Sequence, residues 1–135
     1  MISEKLAPTG ELKIVVTDKH GKVKEARTEK NLVVTTGLTY IAARMTDTSQ
    51  PTDMSHMAVG TGTTAVVIAD TALETELARV ALTGAEGAPS TNTIVYTASY
   101  GAGTGTGALT EAAVLNAAST GTMLCRTVFS AVNKG

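Results

Sequence analysis

Two long apolar runs close the chain, and they constrain its fold more than any other stretch. Ala108–Asn116 (ALTEAAVLN) and Thr122–Val132 (TMLCRTVFSAV) are separated by a short turn at Ser119-Thr-Gly121 and preceded by the glycine-rich Gly101–Gly107. Each is long enough for a full strand, and the second is rich in the β-branched and apolar residues that suit a pleated surface. Neither alternates cleanly between apolar and polar residues. Both faces must therefore be buried, in a sandwich or against a partner chain. A strict period of two puts Leu109, Ala113 and Leu115 on one face and Ala108, Ala112 and Val114 on the other. In the second run Met123, Cys125, Phe129 and Ala131 oppose Leu124, Val128 and Val132. Glu111 and Arg126 are the only charges in the two runs and could pair across a hairpin; the favoured reading is an exposed pair worth under about 1 kcal/mol.

The chain has 135 residues, which suits one domain with a single core. Aromatic residues make up only 3% and Trp is absent, so Leu, Val, Ile, Met and Ala must fill that core. Such a core is thin, and self-association is its natural supplement. A net charge of −1 offers no electrostatic case for nucleic acid or an anionic membrane. The single cysteine, Cys125, cannot form an internal disulfide and reads as a small core hydrophobe. No apolar run approaches the roughly 20 residues of a membrane span, and MISEKLAPTGELK lacks the apolar centre of a signal peptide. The expectation is a soluble protein made in the cytosol.

Residues 1–10 read as an arm, whose Ile2 and Leu6 could dock on a neighbour; residues 11–135 read as one domain. Glu11–Asp18 and Lys22–Lys30 carry the clearest hairpin signal, with Leu12, Ile14 and Val16 on one face and Gly21 in the turn. About half of the chain's charges precede Asn31, which makes this hairpin the solvated part. Asn31–Val34 is a short strand. Thr35-Thr-Gly37 resembles a helix N-cap, and Leu38, Ile41, Ala42 and Met45 fall at helical spacing, which predicts one helix over Gly37–Thr46. Ser55–Gly60 reads as a buried strand, and Leu77–Leu82 as a strand with Arg79 exposed. Ala65–Glu76 is ambiguous, with one possible helical turn near Asp70. Thr83–Ser90 reads as a loop and Asn92–Tyr100 as a strand. These short strands with glycine-rich turns indicate an all-β antiparallel sandwich, jelly-roll-like, with one short helix.

Chemistry-bearing residues are sparse. His20 sits in a turn with no ligand partner near it in sequence, so it reads as solvated rather than metal-binding. His56 follows Ser55, but neighbouring strand residues point to opposite faces, so the two side chains should not meet. Gly60-Thr-Gly-Thr-Thr64 lacks the lysine of a phosphate-binding loop, and the Gly101 region has Thr at 106 where a dinucleotide fingerprint needs Gly. No catalytic residue, cofactor or metal site is assigned, and an enzyme is not expected.

Four blocks in order carry a resemblance: NLVVTTGLTYIAARM (Asn31–Met45), MSHMAVGTGTTA (Met54–Ala65), DTALETELARVAL (Asp70–Leu82), and Tyr100–Gly135. Together they cover about three quarters of the chain and resemble a family of small tailed-bacteriophage virion proteins, variously called structural, head decoration (cement) or tail fibre proteins. The resemblance implies a virion component. A cement protein on the capsid exterior, bound to the major capsid protein and acting as a homo-oligomer (dimer or trimer), is the first expectation; a tail fibre or receptor-binding part is the second. Fibres usually show longer, repetitive shaft sequence, and none is visible. Ile2, Leu6 and Pro8 are the candidate capsid contacts, and no nucleic acid, membrane or cofactor is implied.

Overall fold

A computed structural model describes residues 1–5, 7–46, 48–83 and 88–135. Its strands are β1 (Glu11–Thr17), β2 (Val23–Lys30), β3 (Leu32–Val33), β4 (His56–Gly60), β5 (Glu76–Ala81), β6 (Ala88–Ser90), β7 (Thr93–Val95), β8 (Gly107–Leu115) and β9 (Met123–Lys134), with one helix, α1 (Thr35–Arg44). A five-stranded antiparallel sheet in the order β3-β9-β8-β4-β5 forms the body, and β1-β2 and β6-β7 are separate two-stranded sheets. The two C-terminal runs thus lie at the centre of the main sheet. The protein is an all-β antiparallel sandwich with one short helix, and its sheets among the described residues have five, two and two strands.

Each face of the main sheet has its own cover. Side chains of successive strand residues point to opposite faces. Val59 and Ala112 pack with Leu109, Phe129 and Val132 beneath Leu12, Ile14 and Val16 of the β1-β2 ribbon. Next to them Val114 and Cys125 pack under Tyr40 of α1 and under Tyr96. On the other face Ala58 and Ala113 pack with Val34, Leu115 and Met123 beneath Val66 and Leu73. These last two belong to a strap, residues 61–75, that crosses the sheet without a helix or strand of its own. The ribbon and the strap therefore cover opposite faces.

Two irregularities revise the strict alternation. Leu109 pairs with Val132 but Glu111 with Val128, so Phe129, Ser130 and Ala131 lie opposite Thr110 alone. Val114 pairs with Cys125 but Leu115 with Met123, which leaves Leu124 as the extra residue. The first leaves two extra residues on β9 and the second one, and the strict alternation of faces breaks at both. Leu109 accordingly joins Ala112, and Leu124 joins Cys125, against the expected faces.

The helix begins two residues earlier than its spacing predicts. Its N-cap is Val34, with no side-chain capping bond. The Thr36 hydroxyl instead donates to the Met123 carbonyl at 2.7 Å, and the N–H groups of Val34 and Thr35 donate to Leu124 and Ile68 carbonyls. Tertiary carbonyls thus replace the expected threonine cap. Gly37 and Tyr40 form the buried stripe, whereas Ala42 and Met45 are exposed.

Other differences have local causes. The Ala65–Glu76 stretch holds no helical turn, because the Asp70 carboxylate accepts from Val67 N–H at 3.0 Å and Glu74 accepts from Thr64 N–H at 2.8 Å. Of Asn92–Tyr100 only Thr93–Val95 is a strand, paired with Ala88–Ser90 inside the expected loop; residues 84–87 of that loop lie outside the described residues. Tyr96, Ala98 and Tyr100 still alternate with exposed Thr97 and Ser99, and the Tyr100 hydroxyl donates to the Met57 carbonyl at 2.6 Å. Alternation here records a half-buried segment lying on the sheet, without a ladder partner.

Candidate functional site

Glu111 and Arg126 are buried, with side chains 0% and 2% exposed, which overturns the exposed pair expected from the sequence. Both project from the central strands onto the strap face. Arg126 Nε donates to Glu111 Oε2 at 3.0 Å, one terminal nitrogen reaches Asp70 at 2.8 Å, and the other the Thr64 carbonyl at 3.1 Å. Glu111 also accepts backbone N–H groups of Gly62, Glu74 and Thr75 at 2.8 to 3.0 Å. The pair is a clamp: two central side chains take up the polar backbone of a strap that buries little apolar surface. Glycine is required at position 62, since a Cβ there would stand 2.5 Å from Glu74 and 2.6 Å from the Glu111 carboxylate. Hydrogen bonds from Thr64, with the Arg126 charge behind them, hold the exposed Glu74 carboxyl below its ordinary value. An open cavity of about 320 Å³ lies between Thr64, Asp70, Ala72, Glu74 and Arg126.

The same device recurs at every arginine. Arg27 of the ribbon donates to the Ser130 and Ala131 carbonyls at the β9 bulge while pairing with Glu25 and Glu29. Arg44 joins the Pro51 carbonyl to Asp53. Arg79 joins the Ala117 and Thr120 carbonyls to Glu76, and its side chain is only 9% exposed, contrary to the exposed arginine expected there. Each planar fork satisfies backbone acceptors and a carboxylate at once, which a point-charge ammonium does less well.

The lysines behave differently. Lys13, Lys19, Lys22, Lys24 and Lys30 are all exposed on the ribbon, and among the described residues their ammonium groups have no hydrogen-bond or ion-pair partner. Glu25 and Glu29 turn to the half-buried side with Arg27, and the Asp18 carboxylate is engaged by His20 and Lys22 N–H groups in the turn. A ribbon with six basic and four acidic residues over 11–30 thus presents five lysines and Glu11 on its exposed side, a basic outer surface. Alternation of type alone does not reveal that sorting; the signal available was the restriction of lysine, Lys134 apart, to the first thirty residues.

Among the described residues, only Ser55 and His56 of the remaining candidates are brought together. Ser55, one residue before β4, and His56 do meet, with Oγ 2.8 Å from Nδ1, contrary to the expectation from strand alternation. Among the described residues no carboxylate bonds to the His56 ring, so this contact lacks the orienting acid of a hydrolase triad. Cys125 is buried beside Tyr40, Met54 and Val114, and desolvation pushes its thiol up to about 11. His20 is exposed in its turn. Ile2 and Pro8 are exposed on the arm, and Leu6 lies outside the described residues. Among the described residues no helix is long and apolar enough to cross a membrane.

Comparison with protein-family models, curated proteins and solved structures gave no match for this chain.

Proposed function

We propose that this protein is a bacteriophage virion structural protein, a non-enzymatic capsid decoration (cement) protein that binds the outer capsid and braces contacts between major capsid protein subunits. The sequence resemblance supplies the virion context. The observation that carries the structural role is where the buried polar groups go: all bonds of Arg126 and Glu111 run to the chain's own strap or to each other. Buried charge in this molecule serves rigidity. Its unengaged groups are contact groups, namely the ribbon lysines, Val67 and Ile68 of the strap, and Ile2 of the arm. A rigid block with adhesive outer surfaces suits a clip that opposes separation of neighbouring shell subunits.

Particle stability tests the reading. Virions lacking the protein should release DNA at lower temperature or under osmotic shock while adsorbing to cells at the normal rate, and purified particles should contain it in hundreds of copies. Unchanged heat resistance with lost adsorption, and a low copy number, would reject cement in favour of a tail fibre component.

A further inference from the structure

The structure assigns a self-association surface: the outer face of the β1-β2 ribbon of one copy docks on the strap of the next. On the ribbon, Val15 and Ala26 are cross-strand partners on the exposed side, and Lys13 follows on the same face. Val15 is 50% exposed. On the strap, Val67 and Ile68 are 54% and 52% exposed. The Val67 N–H and the Ile68 carbonyl are nevertheless fixed, by Asp70 and by Thr35 N–H. A surface loop that exposes two large apolar residues and is held by a buried ion network is preorganised for a partner.

The charges match. Asp70 and Glu74, with side chains 21% and 43% exposed, stand at the surface beside the buried Arg126–Glu111 pair, whose charges offset each other, so the strap site presents two negative charges. The ribbon offers five unpaired ammonium groups. Nucleic acid fits this ribbon poorly, since its outward charges are lysines and Glu11, without aromatic or arginine stacking groups. The chain itself carries the complementary surface on the opposite face of its sheet, which points to a second copy as the occupant.

Geometry then determines the type of assembly. Because ribbon and strap cover opposite faces, the contact is head to tail and repeats, building a closed ring or a filament rather than an isologous pair. It specifies the self-association used by the virion reading, yet it is measured on pure protein, so either can fail without the other.

Sedimentation of the pure protein, with two exposed-site variants, is the test. The wild type should associate at about 100 µM in about 50 mM salt and lose at least about tenfold in affinity at about 500 mM salt. Lys13→Glu/Lys24→Glu should be monomeric, as should Val67→Ser/Ile68→Ser, each with an unchanged circular-dichroism spectrum. Mixed together, these two retain one productive junction and should stop at a 1:1 complex. A wild type that stays monomeric, an oligomer indifferent to both variants, or a ribbon that binds only a foreign acidic protein would overturn the inference.

Discussion

Arg126 on β9 and Glu111 on β8 share a hydrogen bond of 3.0 Å beneath a strap that covers both. Removing one partner strands the other's charge in the interior, whereas removing both does not. Arg126→Ala should therefore cost about 3–5 kcal/mol, and Arg126→Met/Glu111→Gln should cost less than the sum of the singles. Urea unfolding of the four proteins in that cycle measures it, and additivity would mean that the two side chains act separately.

Gly37→Ala should destabilise although alanine is the better helix former. Propensity alone favours Ala by about 1 kcal/mol. A Cβ at this position would sit 1.9 Å from the Leu124 carbonyl oxygen, which belongs to β9 backbone and cannot swing aside. Helix and sheet must separate, and the expected loss is about 2–4 kcal/mol by thermal or urea melting, as for overpacking of a close contact. A stabilised variant would show that α1 stands farther from β9.

Phe129→Ala should cost about 3–5 kcal/mol, the usual figure for a buried aromatic. Phe129 lies at the β9 bulge, 7% exposed, under Leu12, Ile14 and Val16. The ribbon should loosen first, with its amides exchanging faster than those of β8. A loss below about 1 kcal/mol would place the ring outside the core.

Arg27→Ala should release the ribbon with little change in the main sheet. The substitution leaves the Ser130 and Ala131 carbonyls without their donor and Glu25 and Glu29 without their cation. We expect about 1–2 kcal/mol and a selective loss of hydrogen-exchange protection in β1 and β2. Loss of protection in β8 and β9 to the same degree would show that the ribbon and sheet open as one unit.

The Cys125 thiol supplies a pH prediction. Desolvation raises it from the ordinary 9.0 to about 11. A group raised in the folded state contributes stability that is complete below its unfolded value and lost as pH climbs through the folded one. Stability should thus fall between about pH 9 and pH 11, and Cys125→Ala should flatten that part of the curve. Thiol labelling at pH 8 should proceed only as fast as the chain opens; rapid labelling of folded protein would place the sulfur at the surface.

Strand and turn signals were readable because they are local. Alternating Leu12, Ile14 and Val16 with Gly21 in the turn, where φ is +80°, define the ribbon, and the apolar runs define β8 and β9 within about two residues. A sequence with period two says which strands have a buried side, and a run apolar on both sides says which strand is central. Tertiary structure alone decided what those strands carry. The bulge opposite Thr110 and the extra Leu124 reset the faces, because register depends on the neighbouring strand. Glu111 and Arg126 became a buried clamp because residues 61–75 fold over them, and nothing near either residue in the chain announces that cover. The same physics separated the basic residues. Arginine forks found carbonyls 7 to 104 residues away, while the ribbon lysines stayed in water, since the charge of a side chain is local but its partner is set by the fold.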